Sequence, residues 1–207
     1  WYQRRVRGMS VQFSEERKKE ISIMAEQAAQ QALNVAKIAE IEKQDKFNDK
    51  IQYSKIELKD SSFAGIKASG KSGKSIEQIV QIIQQGYIQP KEAVMTVDSN
   101  EKFQIDEKTL VTYTQMHGKM SGKTEQVTIL RTDKIDGKTV IVQASVNLKE
   151  LPENAKRPNL RAQIFWLEEK QGCTEIEYFF HMDIPGAPAM MVNMGIKKRA
   201  GILELFM

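Results

Sequence analysis

The sequence predicts an α+β fold built on an antiparallel sheet, and three observations carry that prediction. A run from Ser14 to about Lys46 has no Pro or Gly and is rich in Ala, Gln, Glu, Lys and Ile. Six short strand-like segments then follow one another after Lys102 with no helix between them, and helical spacing returns after Pro188. Strands in succession without crossover helices pair as an antiparallel meander, because parallel neighbours need a long connection between them. The 207 residues suffice for one large α+β domain. No linker, repeat or low-complexity segment divides them, so residues 14–207 are read as one domain. Residues 1–13 are read as an N-terminal extension or expression remnant, with Met9 as a candidate native start.

Each element has a local reason. The first run consists mostly of strong helix formers. Ile21, Ala25, Ala28, Ala32, Val35 and Ala39 recur at three and four, a stripe of small residues suited to lying close against a sheet. Ile51 to Leu58 alternates like a strand, Lys59 to Ser62 is a turn, and Phe63 to Ser69 is a hairpin partner. Ser75 caps a helix running to Gln85, with Gln78 completing a capping box and Gly86 as the stop. The meander strands are 102–106, 108–116, 125–132, 138–147, 161–168 and 175–182. In the last helix Val192, Ile196, Ala200, Leu203 and Met207 share a stripe, and Arg199 intrudes near its edge.

Composition narrows the function classes. Lys and Arg number 31 against 27 Asp and Glu, a net charge of +4 without a concentrated polycation. The single cysteine, Cys173, excludes an internal disulfide and fits a reducing compartment. With two histidines besides, the usual Cys/His zinc site is not available. No apolar stretch approaches the roughly 18 residues of a spanning helix. The charged first residues lead into no apolar segment of the signal-peptide kind. The expectation is a cytoplasmic protein without a cofactor.

Gly65-Ile-Lys-Ala-Ser-Gly-Lys-Ser72 matches the nucleotide-binding pattern G-x-x-x-x-G-K-[ST] to the letter. That loop works between a buried strand and a helix of a parallel sheet, with a second strand ending in a magnesium-binding Asp. Here a turn precedes Gly65, the helix cap is Ser75 rather than Ser72, and a meander follows, although Ala93 to Asp98 imitates the second strand. The segment is read as a hairpin strand and a solvated turn, and no nucleotide is expected.

An ordered set of segments in the last third carries a family resemblance: Thr139 to Val146, then Leu151-Pro152, then Arg157 to Arg161 and a strand through Ile164 and Phe165, then Ile176 to Asp183 and the loop Asp183-Ile-Pro-Gly-Ala-Pro188 before a helix. This order resembles the START family of lipid-transfer domains, over about residues 14–207. The chain departs from the family pattern at Thr124-Glu125-Gln126, where Arg-Asp-Phe is frequent, and lacks a tryptophan-containing segment after the second helix. The resemblance implies a helix grip: a curved antiparallel sheet wrapped around a long C-terminal helix, with the N-terminal helix packed outside. The resemblance further implies that the grip encloses a lipid-sized cavity.

The candidate site residues follow from strand alternation and from the resemblance. Arg131 shares a face with Val127 and Ile129. START domains often hold a buried Arg at such a position, with a carboxylate on the preceding strand where this chain has Thr114. An unpaired buried guanidinium is costly, so Arg131 meets an acidic headgroup, or it ends the strand at the surface or pairs with a Glu elsewhere in the chain. Gln143 and Tyr178 are similar to family positions that line the cavity, and Tyr178 shares a face with Ile176, Phe180 and Met182. The alternative is an ordinary core tyrosine and an exposed glutamine. Met116, Met120, Pro185, Pro188, Met190 and Met191 fall in the 115–124 and 183–194 regions, which the resemblance makes lids that dock on membranes. Flexible methionines suit such a surface, and Lys119, Lys123, Lys197 and Lys198 flank it. Met194 is assigned to the core.

The function read from this set is non-enzymatic binding and transfer of one lipid, phospholipid ahead of sterol, by a monomer that touches membranes transiently and binds no nucleic acid. One alternative is a lipid-sensing regulatory module with the N-terminal helix as its arm. Another is an enzyme on the same scaffold with His117 or His181 as its base, although no nucleophile motif accompanies either.

Overall fold

Ser14 caps helix α1 (Glu15–Ile38): its hydroxyl accepts from the Arg17 amide at 3.2 Å, and Glu15 and Glu16 occupy the first turn, where the helix dipole favours carboxylates. The computed structural model describes residues 11–86, 88–89, 95–118, 122–151 and 157–207. α1 stops at Ile38, short of Lys46. Beyond it Glu40–Ile41 (β1) and Asp45–Lys46 (β2) both pair with Ile51–Glu57 (β3), so sheet hydrogen bonds override a run of good helix formers.

Gly65–Ser72 (β4) completes the expected hairpin with β3. Helix α2 (Ile76–Ile83) carries the full capping box: the Ser75 hydroxyl accepts from the Gln78 amide and the Gln78 side chain accepts from the Ser75 amide. Gly86 ends it with φ +94°, and a Cβ there would sit 2.9 Å from the Thr112 methyl, so both backbone and space require glycine.

The meander consists of Met95–Gln104 (β5), Thr109–Gly118 (β6), Gly122–Ile135 (β7), Lys138–Ser145 (β8), Asn159–Lys170 (β9) and Cys173–Asp183 (β10). β5 starts earlier than the expected residue 102 and carries a bulge between Val97 and Ser99. Asp136-Gly137 and Gln171-Gly172 take positive φ at the two tightest turns, as two-residue hairpins require. The strand order is β1-β3-β4-β10-β9-β8-β7-β6-β5, with β2 beside β3. The last strand therefore returns to pair with β4. The phosphate-loop lookalike is β4 itself, hydrogen-bonded between β3 and β10.

After β10 the chain forms α3 (Ala189–Gly195) and then a 3-10 helix, Ile196–Leu205. The curved sheet buries both faces. On the outer face Val111, Val127, Ile129, Val140, Val142, Ile164 and Phe179 pack against Ile21, Ala25, Ala29 and Ala32 of α1. On the inner face Ile66, Leu130, Ile141, Phe165, Leu167 and Tyr178 meet Ile79 and Ile83 of α2 and Ile196, Ala200, Ile202, Leu203 and Phe206 of the C-terminal segment. The end of that segment is tied down: Ser72 donates its hydroxyl to the Phe206 carbonyl, Lys74 donates to Met207 O at 2.9 Å, and Asn48 donates to Glu204 at 3.1 Å.

Candidate functional site

Strand alternation places a band of amides and hydroxyls across the inner face. Thr112 and Thr128 face each other on β6 and β7 with their hydroxyls 2.7 Å apart. Gln143 donates to the Thr128 hydroxyl at 2.8 Å and to the Gly86 carbonyl at 2.9 Å, and Gln163 donates to Gln143 Oε1 at 3.0 Å. Beside them Thr114 donates to Asn100 at 3.0 Å, and Asn100 donates to the Gln85 carbonyl at 2.7 Å. Gln143 and Asn100 thus take up carbonyls just past the C-terminus of α2, groups a helix end leaves without intrahelical partners. Gln143 is buried, not exposed, and the band fastens α2 to the sheet.

Next to the band lies an aromatic floor. Tyr178 is 0% exposed, with its ring 4.8 Å from Phe165 and 6.4 Å from Phe180, and Phe206 meets Phe165 edge-on at 5.7 Å. The Tyr178 hydroxyl has no hydrogen-bond partner among the described residues. Burial pushes the phenol above its usual pKa, so the group is a neutral O–H. Arg199 lays its guanidinium 4.5 Å over the Phe180 ring. On the same face Met182 receives a 3.9 Å contact from the Gln126 amide, and the buried Thr124 hydroxyl is unpartnered among the described residues.

Arg131 requires a correction. It does share a face with Val127 and Ile129, but that face is the outer one, under α1. It is not without a counter-ion: its Nε donates to Asp133 at 2.8 Å and a terminal nitrogen donates to Thr109 at 3.2 Å. The partner stands two residues along the same strand, where alternation returns a side chain to the same face.

The methionines also divide differently from the expectation. Met116 is 4% exposed and so is no part of an exposed lid, while Met194, assigned to the core, is 75% exposed. Met120 lies outside the described residues. Met190 and Met191 are exposed, as are Pro185 and Pro188, the latter in the N-cap position of α3. α3 buries none of its residues, and Asn193 holds it in place, accepting from the Ala64 amide at 2.8 Å and donating to Ser62 O at 3.1 Å. The same 60–64 loop is fixed by Asp60 to Arg161 at 2.7 and 2.9 Å and by Ser61 to Asp183 at 2.6 Å.

Neither histidine faces the inner side. His117 is exposed and sits 2.7 Å from Asp98. His181 is buried, with Nε2 donating to the Phe63 carbonyl at 2.9 Å, and burial pulls its pKa down, so the ring is neutral. Thr112, Thr128 and Gln163 join the inner face without a sequence expectation, and so does Arg199, which the sequence marks only as an intrusion at the edge of a helical stripe. Gln163 carried a usable signal, being an amide in register with Phe165 and Leu167 on one strand face.

No protein-family model and no curated protein matches the sequence. Solved structures do match it. Human StAR-related lipid transfer protein 5 superposes with a TM-score of 0.70 at 16% identity, over 91% of this chain and 97% of that one. The StAR-related lipid transfer protein fragment from Xanthomonas axonopodis gives a TM-score of 0.64 at 12% identity, over 81% and 95%. The lipid transfer and protein localization domain of human StarD13 gives 0.60 at 12% identity, over 90% and 96%. The chain has the START fold. Its elements take their places in that helix grip: α1 outside, α2 and the C-terminal segment inside, and α3 leading into the C-terminal segment. At such identities the likeness carries the START fold and leaves the ligand to this chain's own side chains.

Proposed function

We propose that this START-fold protein binds one lipid against the inner face of its sheet, phospholipid ahead of sterol, and carries it between membranes as a cytoplasmic monomer that docks transiently. The observation that carries the reading is α3. A short helix with no buried residue that presents Met190, Met191 and Met194 to solvent gains nothing from them in water, whereas methionine side chains entering an acyl-chain region gain the transfer free energy of their apolar surface. Exposed Lys123 and Lys197 supply charge for anionic headgroups. α3 directly precedes the segment that fills the grip, so membrane contact there acts on the element that covers the inner face.

The test replaces Met190, Met191 and Met194 with Asp together and measures lipid transfer between fluorescent donor vesicles and acceptor vesicles containing phosphatidylserine. Transfer should slow at least tenfold while folding stability stays within about 0.5 kcal/mol of the parent, as for other surface changes. Unchanged transfer defeats the reading. A collapse in melting temperature would show that these methionines belong to the core.

A further inference from the structure

Two side chains on the inner face lack what their chemistry calls for. The Tyr178 hydroxyl is buried with no partner among the described residues, an arrangement that ordinarily costs stability. Arg199 is half-buried and forms no ion pair with a described residue, whereas Arg17 holds Glu150, Arg131 holds Asp133 and Arg161 holds Asp60. The two are neighbours. Phe180, over which the guanidinium lies, stacks with Tyr178, and the Arg199 charge is felt at the phenol. A neutral O–H and a guanidinium on an otherwise apolar floor are both donors, and an oxygen acceptor bearing negative charge satisfies them together through charge-assisted hydrogen bonds. The Phe180 ring fixes the guanidinium plane, and Phe165 and Phe206 provide apolar walls for the rest of a ligand.

Resting on the lipid-carrier reading, we propose that Arg199 and Tyr178 together hold the anionic oxygen group, phosphate or carboxylate, of the bound lipid. On the inner face the arginine in question is thus Arg199, while Arg131 belongs to the outer face.

The experiment incubates the full chain with vesicles of phosphatidylcholine, phosphatidic acid, oleic acid, diacylglycerol and cholesterol, re-isolates the protein and weighs the extracted lipids by mass spectrometry. The parent should be enriched in lipids with phosphate or carboxylate oxygens. Arg199→Met and Tyr178→Phe should each lose that enrichment roughly tenfold, the size of one hydrogen bond to a charged group, while uptake of diacylglycerol and cholesterol persists. Arg199→Lys should recover only part of it. Tyr178→Phe should melt no lower than the parent, because it deletes a hydroxyl with no partner among the described residues. Parental lipid ratios in both variants overturn the proposal, as does a Tyr178→Phe protein that melts several degrees lower. Inorganic phosphate should leave the melting of the parent unchanged. A stabilisation by phosphate that Arg199→Met abolishes would make the site one for free anions and overturn its assignment to a lipid. Uptake of none of the five lipids by the parent overturns the carrier reading, and this one with it.

Discussion

The outer face of the sheet, under α1, and the inner face, under α2 and the C-terminal segment, bury similar sets of aliphatic side chains but treat their polar groups differently. Outside, the cover is a stripe of Ile21 and alanines, and Arg131 finds Asp133 and Thr109 on its own sheet. Inside, the amides and hydroxyls of Thr112, Thr128, Gln143 and Gln163 are spent on one another and on the end of α2, while Tyr178 and Thr124 keep hydroxyls with no described partner. Off the inner face Arg131 is paired on its own sheet, and His181 keeps only its Nδ1 without a described partner. The inner face is complete only where it grips α2, and the part beneath the C-terminal segment has donors to spare.

Three substitutions would break or sharpen this contrast. The largest effect is expected from Ala32→Glu, which places a carboxylate at a position that is 0% exposed between α1 and the sheet. An unpaired buried charge should cost about 3 kcal/mol or more, read as a lower urea midpoint. A small loss would mean that α1 is not sealed onto the sheet. Gln143→Leu comes next. It deprives the Gly86 carbonyl and the Gln163 amide of their partner, so about 2 kcal/mol should be lost, with faster amide exchange in α2 than in α1. Equal exchange in the two helices would show that the band does not fasten α2. Arg131→Met should have the smallest effect, about 1 kcal/mol, because Asp133 keeps Lys108 at 3.2 Å. The profile of bound lipids should match that of the parent. A profile altered in the way expected of Arg199→Met would mean that the two faces do not divide the work as described.

Much of the architecture could be read from the sequence, because its signals are local. Ser14 and Ser75 mark helix starts by hydroxyl geometry, Gly86 marks a stop by its φ, and the meander strands announce themselves by turns such as Asp136-Gly137. The run from Ala39 to Lys46 could not be read in this way, since only its pairing with β3 turns it from helix to strand. The side of the sheet on which Arg131 lies is hidden in the sequence for a different reason. Alternation says which residues share a face but not which face is inner, and here a helix covers each side, so both are apolar. The same limit hid Arg199, which reads as a blemish on an amphipathic stripe until Phe180 is seen beneath it. Tyr178 stands out as a polar group among Ile176, Phe180 and Met182 at strand spacing, which is visible without knowing which way the sheet curves, whereas Gln143 is marked only by the family resemblance.

The pairing of β4 with β10 bears on how the chain reaches this state. Gly70 lies opposite Ile176, so the hairpin made early in the sequence gains its second neighbour only from the last strand. Bringing such distant segments together carries a loop-closure cost that nearest-neighbour hairpins avoid, and folding rates fall as contacts become less local. A chain still leaving the ribosome can assemble α1, the first hairpin and α2, but it cannot close its sheet until Asp183 has emerged, and the segment that fills the grip follows immediately behind.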